Sequence, residues 1–259
     1  GGLGYAVLAV IFIRLSARGL ELSDRSLLRD SLGADPRIGT KKLFNTALGV
    51  TFTAEGIGAI LLFSVFVREY PVPRAIYLGI FHSVSAFNNA GFDLFTTSLI
   101  GWNDSYLVLV TIALLIISGG LGFIFYQDVL SNLGRKRLSL HVKVVASMTL
   151  FLIIAGTLLF ALLMPGLDLK NAFFQSVTTR TAGFFSFDQF ELPSSAVLLS
   201  IFLMFVGASP GSTGGGVKTT SAFAAIFGSF SLLLGRKPQA FKRTIDSESV
   251  NKAFFLIII

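Results

Sequence analysis

Phe81-His-Ser-Val-Ser-Ala-Phe-Asn-Asn-Ala-Gly-Phe92 decides the fold of this chain, because its plan returns about ninety residues later as Phe173-Phe-Gln-Ser-Val-Thr-Thr-Arg-Thr-Ala-Gly-Phe184. Each copy follows an apolar run too brief to cross a bilayer core of roughly 30 Å, and each ends in Ala-Gly-Phe ahead of another long apolar stretch. That is the pattern of a re-entrant half-helix followed by irregular backbone. Within lipid such backbone is tolerated only where it packs inside protein or lines water, so the two Ala-Gly-Phe stretches are expected to face a common aqueous cavity.

The composition agrees with this reading. Of 259 residues, 53% are hydrophobic and only 14% charged, which places the chain among membrane proteins. With no cysteine and two histidines, His82 and His141, it offers no disulfide framework, thiolate site or His cluster. The net charge of +7 sits in loops between apolar runs, as membrane orientation requires, so nucleic acid is not the expected partner. The chain opens on Gly1 without an initiator methionine and closes inside an apolar run, Ala253 to Ile259, so it reads as a fragment; no charged region precedes the opening apolar run, and no signal peptide is expected.

Taken in order, Gly1 to Ile13 is the tail of a membrane helix, and residues 14–42 form a loop carrying seven Lys and Arg. Leu43 to Val67 is long enough to span, Arg74 to Phe87 is the first half-helix, and Asn88 to Asp104 returns to the surface. Tyr106 to Tyr126 is predicted to span in one piece. Asp128 to Lys143 is a second basic loop centred on Arg135-Lys136-Arg137; Val144 to Met164 spans; Leu169 to Thr179 is the second half-helix, and Arg180 to Pro193 climbs back out. Ala196 to Leu234 is interrupted in its middle, and Arg236 to Lys252 is a third basic loop. The three linkers hold seven, four and five Lys and Arg, against two on each face beside the half-helices, which makes the linkers cytoplasmic. The half-helices therefore enter from outside. Gly91 to Gly119 and Gly183 to Gly211 are both separated by twenty-eight positions, so Gly119-Gly-Leu-Gly122 and Gly211 to Gly216 are expected at equivalent depths.

A cation leaving water needs its hydration shell replaced, and glycine lets successive carbonyls aim inward without a side chain in the way. Asn88, Asn89, Ala90 and Gly91 in one loop, and Thr181, Ala182 and Gly183 in the other, are the candidate ion-filter residues. The C-terminal ends of both half-helices add negative dipole there. Asn88, Asn89, Thr178, Thr179 and Thr181 are placed to brace the loops by hydrogen bonds. The run from Gly207 to Thr220 is the least helix-compatible stretch of the chain. It reads as a flexible intramembrane gate beneath the cavity, with Gly211, Ser212, Thr213, Gly214, Gly215, Gly216 and Lys218 as its candidate residues. Lys218 either opposes cation passage, anchors the loop to a carbonyl or acid, or snorkels to the cytoplasmic interface.

The same run resembles a Walker loop but misses it, because Val217 stands where the lysine belongs; likewise Gly120-Leu-Gly122 lacks the third glycine of a dinucleotide fingerprint. Glu55, the acid of the first span, reads as a buried partner holding helices together or as a functional group. His82 reads as packed or hydrogen-bonded. Arg180 is expected to pair with Asp188 or Glu191 or to tune cation entry. No constellation of nucleophile, base and orienter appears, so no enzyme is expected.

Ser85-Ala-Phe-Asn-Asn-Ala-Gly-Phe92, Thr179-Arg-Thr-Ala-Gly-Phe184 and Gly211-Ser-Thr-Gly-Gly-Gly-Val-Lys-Thr-Thr220, in that order, resemble the bacterial Ktr/Trk potassium-uptake family, above all its KtrB-type membrane subunit. The resemblance implies an all-α integral membrane fold, potassium-channel-like, of four helix, pore-loop, helix repeats with re-entrant half-helices. On that template residues 1–42 end the first repeat, 43–140 and 141–245 are the second and third, and 246–259 begin the fourth. It further implies potassium as the permeant ion, homodimers, a cytoplasmic nucleotide-binding regulatory ring, membrane lipid as surroundings and a bacterial inner-membrane location; sodium is a candidate modulator, which the residues do not decide. The alternative is a cation secondary transporter with broken helices, but the two units run in the same orientation by the Lys and Arg count, which favours a pore.

Overall fold

The computed structural model describes residues 40–132, 138–233, 235, 239–241, 243–244, 250–251 and 253–254. The expected tail of a first repeat with its basic loop, the Arg135-Lys136-Arg137 centre of the second loop and most of the fourth-repeat start lie outside the described residues.

Helix α1 (Thr40–Phe66) turns at Arg68 to Tyr70 into α2 (Val72–Phe87). Pro73 sits in the first turn of α2, where a missing N–H costs nothing. Irregular chain and a 3-10 turn, Ile100–Trp102, lead to α3 (Tyr106–Leu121), whose Ser105 cap accepts the Val108 N–H. Then come α4 (Phe123–Ser131), α5 (Leu140–Leu163), α6 (Leu169–Thr178), α7 (Ser194–Phe205) and α8 (Thr219–Leu233). Past α8 the third basic loop contains a two-residue antiparallel pairing, β1 (Gln239–Ala240) with β2 (Arg243–Thr244), which its charge gave no reason to expect.

Among the described residues, Asn45–Phe66 and Leu140–Leu163 are long and apolar enough to cross a membrane. The outward faces of these helices, Phe52, Ile60, Leu150, Phe151, Leu158 and Leu162, are exposed, as lipid-facing residues are. Tyr106 to Tyr126 departs from the expected single span: α3 ends at Leu121, and α4 leaves it bent by 82°. Gly122 makes the break. It holds a φ of 84°, and a Cβ there would stand 2.4 Å from the Pro210 carbonyl oxygen, so only glycine lets the loop after α7 reach this point.

The two half-helices are seated by the same clasp. Ser83 of α2 donates to the Glu55 carbonyl of α1 at 2.7 Å, and a Cβ on Gly58 would meet that serine oxygen at 2.5 Å. Ser176 of α6 donates to the Ile153 carbonyl of α5 at 2.9 Å, and a Cβ on Gly156 would meet its oxygen at 2.3 Å. In each case the glycine lies three residues after the accepting carbonyl and lets the half-helix approach closely, the usual way helices pack within lipid. A core of Leu62, Phe66, Leu78, Phe87, Leu109, Ile112 and Phe174 joins α1, α2, α3 and α6; a second, of Leu152, Phe160, Leu203 and Phe223, joins α5, α7 and α8. Ala182 and Phe184 of the second loop belong to the first of these cores.

Candidate functional site

Both half-helices end on the loops that carry the candidate residues. After α2, Asn89 has a φ of 48° and Gly91 of 71°; after α6, Thr181 has 69° and Gly183 has 91°. Ninety-two positions separate the members of each pair, and Ala90 and Ala182 between them keep ordinary negative φ. Both loops thus alternate positive with negative φ. An extended strand points successive carbonyls to opposite sides, and positive φ at every second position breaks that pattern. A threonine at positive φ is strained, and it persists only because its surroundings fix it.

The loops lie against each other. A Cβ added to Gly91 would stand 2.6 Å from the Ala182 carbonyl oxygen and 2.9 Å from the Gly183 Cα. Further out, the Leu99 N–H donates to the Phe185 carbonyl at 2.9 Å and the Phe185 N–H to the Ser98 hydroxyl at 3.2 Å. A cavity of about 540 Å³ is lined by Asn89, Ala90, Thr181, Ala182, Gly183 and Gln175, with other residues of the third unit. A larger apolar cleft of about 1030 Å³ between α1, α3 and α4 contains none of the candidate residues.

Four of the five expected braces reach the loops or the elements around them. The Asn88 amide donates to the Glu55 carboxylate at 3.0 Å, giving that acid the partner expected of it. Asn89, with its nitrogen turned toward them, donates to the Ile116 and Ala86 carbonyls at 3.2 Å each. The Thr178 hydroxyl donates to the Phe184 carbonyl at 2.6 Å, and the Thr181 hydroxyl accepts the Gly215 N–H at 2.9 Å. Thr179 instead bonds back to Gln175 in its own helix. Two further residues brace the first loop: the Ser85 hydroxyl donates to the Phe92 carbonyl at 2.6 Å, and His82 accepts the Leu94 N–H on Nε2 at 3.3 Å while Nδ1 contacts the Leu78 carbonyl at 2.7 Å. Ser85 and Thr178 bond matched carbonyls, Phe92 and Phe184, but laying the copies together sets Ser85 against Val177, one position out, so the match is not legible in the sequence. His82 carries no signal either, because its partner is a main-chain group.

Arg180 corrects an expectation. It forms no ion pair with Asp188 or Glu191; Asp188 caps the 3-10 turn at Phe190, and the buried guanidinium donates to the Gly207 carbonyl at 3.2 Å. Arg180 thereby touches the second candidate feature, the Gly-rich run between α7 and α8.

That run is more tightly held than its glycine content suggests. The Ser209 N–H donates to the Gly120 carbonyl at 3.0 Å, the Thr213 N–H to the Gly119 carbonyl at 3.2 Å, and the Phe123 N–H to the Gly211 carbonyl at 3.0 Å. The Thr213 hydroxyl reaches the Phe87 carbonyl at 3.0 Å, at the end of α2. Gly119 to Gly122 and the Gly211 region therefore do meet at one level. The Ala208 N–H donates to the Gly215 carbonyl at 3.0 Å and closes the loop on itself, while the Lys218 ammonium donates to the Gly214 carbonyl at 2.9 Å. Of the readings for Lys218, anchoring to a carbonyl is the contact observed. Ser212 Oγ is buried without a partner among the described residues.

Comparison with known proteins gives the family. A family model described as "TrkH: Cation transport protein" matches residues 1–169 and 138–257. The chain belongs to the TrkH family. It is 36% identical over 270 residues to the potassium/sodium uptake protein NtpJ of Enterococcus hirae, the match covering 100% of this chain and 60% of that protein. It is 34% identical over 273 residues to Ktr system potassium uptake protein B of Vibrio alginolyticus, again covering 100% of this chain and 60% of the relative. The chain thus spans about three fifths of the length of the curated TrkH-family relatives it matches. The crystal structure of the potassium transporter TrkH from Vibrio parahaemolyticus superimposes with a TM-score of 0.68 at 19% identity, over 99% of this chain and 53% of that one, which shows a shared helical fold.

Proposed function

We propose that this chain is the central part of a potassium-uptake membrane subunit that conducts the ion passively, with residues 43–140 and 141–245 as its second and third repeats. The observation that carries this reading is the pair of loops whose alternating φ repeats at Asn89 and Gly91 and at Thr181 and Gly183, brought side by side at the ends of two half-helices. Main-chain oxygens of such loops can replace the water around a cation, and the helix C-termini favour positive charge at the same place. In this reading Asn88, Asn89, Ala90, Gly91, Thr181, Ala182 and Gly183 line half of a filter, and further repeats of the whole protein supply the other half.

The run containing Gly211, Ser212, Thr213, Gly214, Gly215, Gly216 and Lys218 lies beneath the filter as a gate. The break at Gly122, against which it docks, supports this assignment by giving its backbone partners that a bare loop within lipid would lack. Potassium as the permeant ion follows the names of the relatives, and NtpJ adds sodium as a second ion or modulator. A homodimer in the bacterial plasma membrane, with basic linkers on the cytoplasmic side to receive a nucleotide-binding regulatory ring, completes the proposal.

The test is Gly91→Ser in the full-length protein, measured as potassium and sodium flux in liposomes. A Cβ at that φ, 2.6 Å from the Ala182 oxygen, is expected to cut potassium flux and lower the preference over sodium. Unchanged flux and preference would remove Gly91 from the filter.

A further inference from the structure

The two residues just before Ala182-Gly183 hold the two ends of the Gly-rich loop. Arg180 Nη2 reaches the Gly207 carbonyl where the loop leaves α7, and Thr181 Oγ1 accepts the Gly215 N–H near the loop's return to α8. Those ends are also joined to each other, since Gly215 accepts the Ala208 N–H and a Cβ on Gly207 would stand only 2.0 Å from the Gly215 oxygen. The base of the loop is therefore closed against two neighbouring residues of one filter strand. In the second unit the position matching Arg180 is Asn88, which turns to Glu55 instead. On that side the loop reaches the end of the half-helix instead, through Thr213 to the Phe87 carbonyl, so only the third-unit strand is bonded at both ends of the loop.

Thr181 is also the strained member of its strand, a β-branched residue at a φ of 69°. Its hydroxyl is held by the loop, so removing the loop removes one of the contacts that stabilise this conformation. Arg180 is buried, and its Nε has no partner among the described residues, so the Gly207 carbonyl is the described group that meets its guanidinium. Any displacement of the loop must break both contacts within a few bonds of Gly183.

We propose that Thr181, assisted by Arg180, is a positioning residue that transmits the position of the gate loop to the third-repeat filter strand, so that ion preference changes when the loop leaves its seat. This rests on the filter and gate reading above. Loop and strand then act as one body: a seated loop holds the Thr181 carbonyl and its neighbours in the alternating conformation, and an unseated loop releases them.

The experiment uses the full-length protein in liposomes, with potassium and sodium flux measured for wild type, Thr181→Val, Thr181→Ser, a deletion of Gly211 to Gly216, and Thr181→Val combined with the deletion. Valine keeps the β-branch and removes the acceptor. The expected result is that Thr181→Val shifts the potassium to sodium ratio toward that of the loop deletion by about fivefold, the factor one ordinary hydrogen bond is worth. In the deleted background it adds nothing, and Thr181→Ser, which keeps the hydroxyl, restores the wild-type ratio. If the deletion changes flux but Thr181→Val leaves the ratio alone, or shifts it equally in both backgrounds, the linkage is refuted and the gate stands. If the deletion itself changes neither flux nor ratio, the gate reading fails and this inference falls with it. Should Thr181→Val not reach the membrane, Arg180→Gln is read by the same comparison.

Discussion

Gly119 and Gly120 are neighbours on α3, yet alanine at the two positions should have opposite effects. At Gly120 a Cβ meets the Ala208 Cβ and the Asn89 side chain at 3.8 Å, ordinary contact. The change there should stabilise the helix by up to about 1 kcal/mol, the difference in propensity between glycine and alanine. At Gly119 the Cβ would stand 1.8 Å from the Phe87 carbonyl oxygen and 2.7 Å from Thr213 Oγ1. The first distance lies about 1.5 Å inside van der Waals contact, and the atom it strikes is main chain, which cannot rotate aside. Overpacking of this kind costs about 1–3 kcal/mol, and loss of the Thr213 to Phe87 hydrogen bond adds about 1 kcal/mol. The gain in propensity offsets only part of this, leaving the two variants roughly 2–4 kcal/mol apart. In thermal unfolding followed by size-exclusion chromatography of the detergent-solubilised protein, that gap appears as a separation on the order of 5–15 °C. On the proposed reading of the Gly-rich loop as a gate, Gly119→Ala should also raise ion leak, because the displaced Thr213 is one of that loop's docking points. Equal melting temperatures for the two variants would refute the packing argument.

Two other predictions concern the supports of the loops. Asp168 caps α6 by accepting the Asn171 N–H at 3.0 Å, and Asp168→Ala should cost about 1 kcal/mol of stability near neutral pH in a thermal melt. Partial burial works to raise the Asp168 pKa, but the Asn171 backbone and amide and the Lys170 ammonium outweigh it and hold the carboxyl below its ordinary value. The cap's contribution is therefore complete above the ordinary carboxylate pKa and is lost as pH falls through the lowered one, so melts of wild type and variant should converge only in strong acid. His82→Phe preserves the aromatic contact with Phe95 but leaves the Leu94 N–H without its acceptor. A cost of about 1–3 kcal/mol, with reduced potassium preference, is expected in melts and flux assays; a stable, fully selective variant would remove His82 from the support of the first loop.

The repeated Ala-Gly-Phe, the glycine spacing and the helix-breaking run after Phe205 were enough to place both half-helices, the paired loops and the interrupted final span. These are main-chain features, and the residues that permit them, glycine and proline above all, can be read one by one. The break at Gly122 was only partly legible. Gly119-Gly-Leu-Gly122 weakens a helix, but the apolar run continues through it to Tyr126, and what occupies the break is the Pro210 carbonyl, brought from eighty-eight residues away. The same holds for Arg180. Nearby acids offered obvious partners by charge, but the partner chosen is a carbonyl delivered by the loop. The serine and glycine clasps were hidden for a different reason: the separation between glycine and serine is longer in one unit than in the other, so aligning the two half-helices leaves the spanning helices out of step.

That inequality has a consequence at the N-terminal ends of the half-helices. Each half-helix is pinned at its clasp and leads straight into its loop, so extra length can project only outward. From Val72 to Ser83 is four residues more than from Leu169 to Ser176, which raises the rim on that side by about 6 Å. In a pore of the proposed kind the entrance is lopsided, and a rigid plug wide enough to touch both rims would seat in one orientation instead of several equivalent ones.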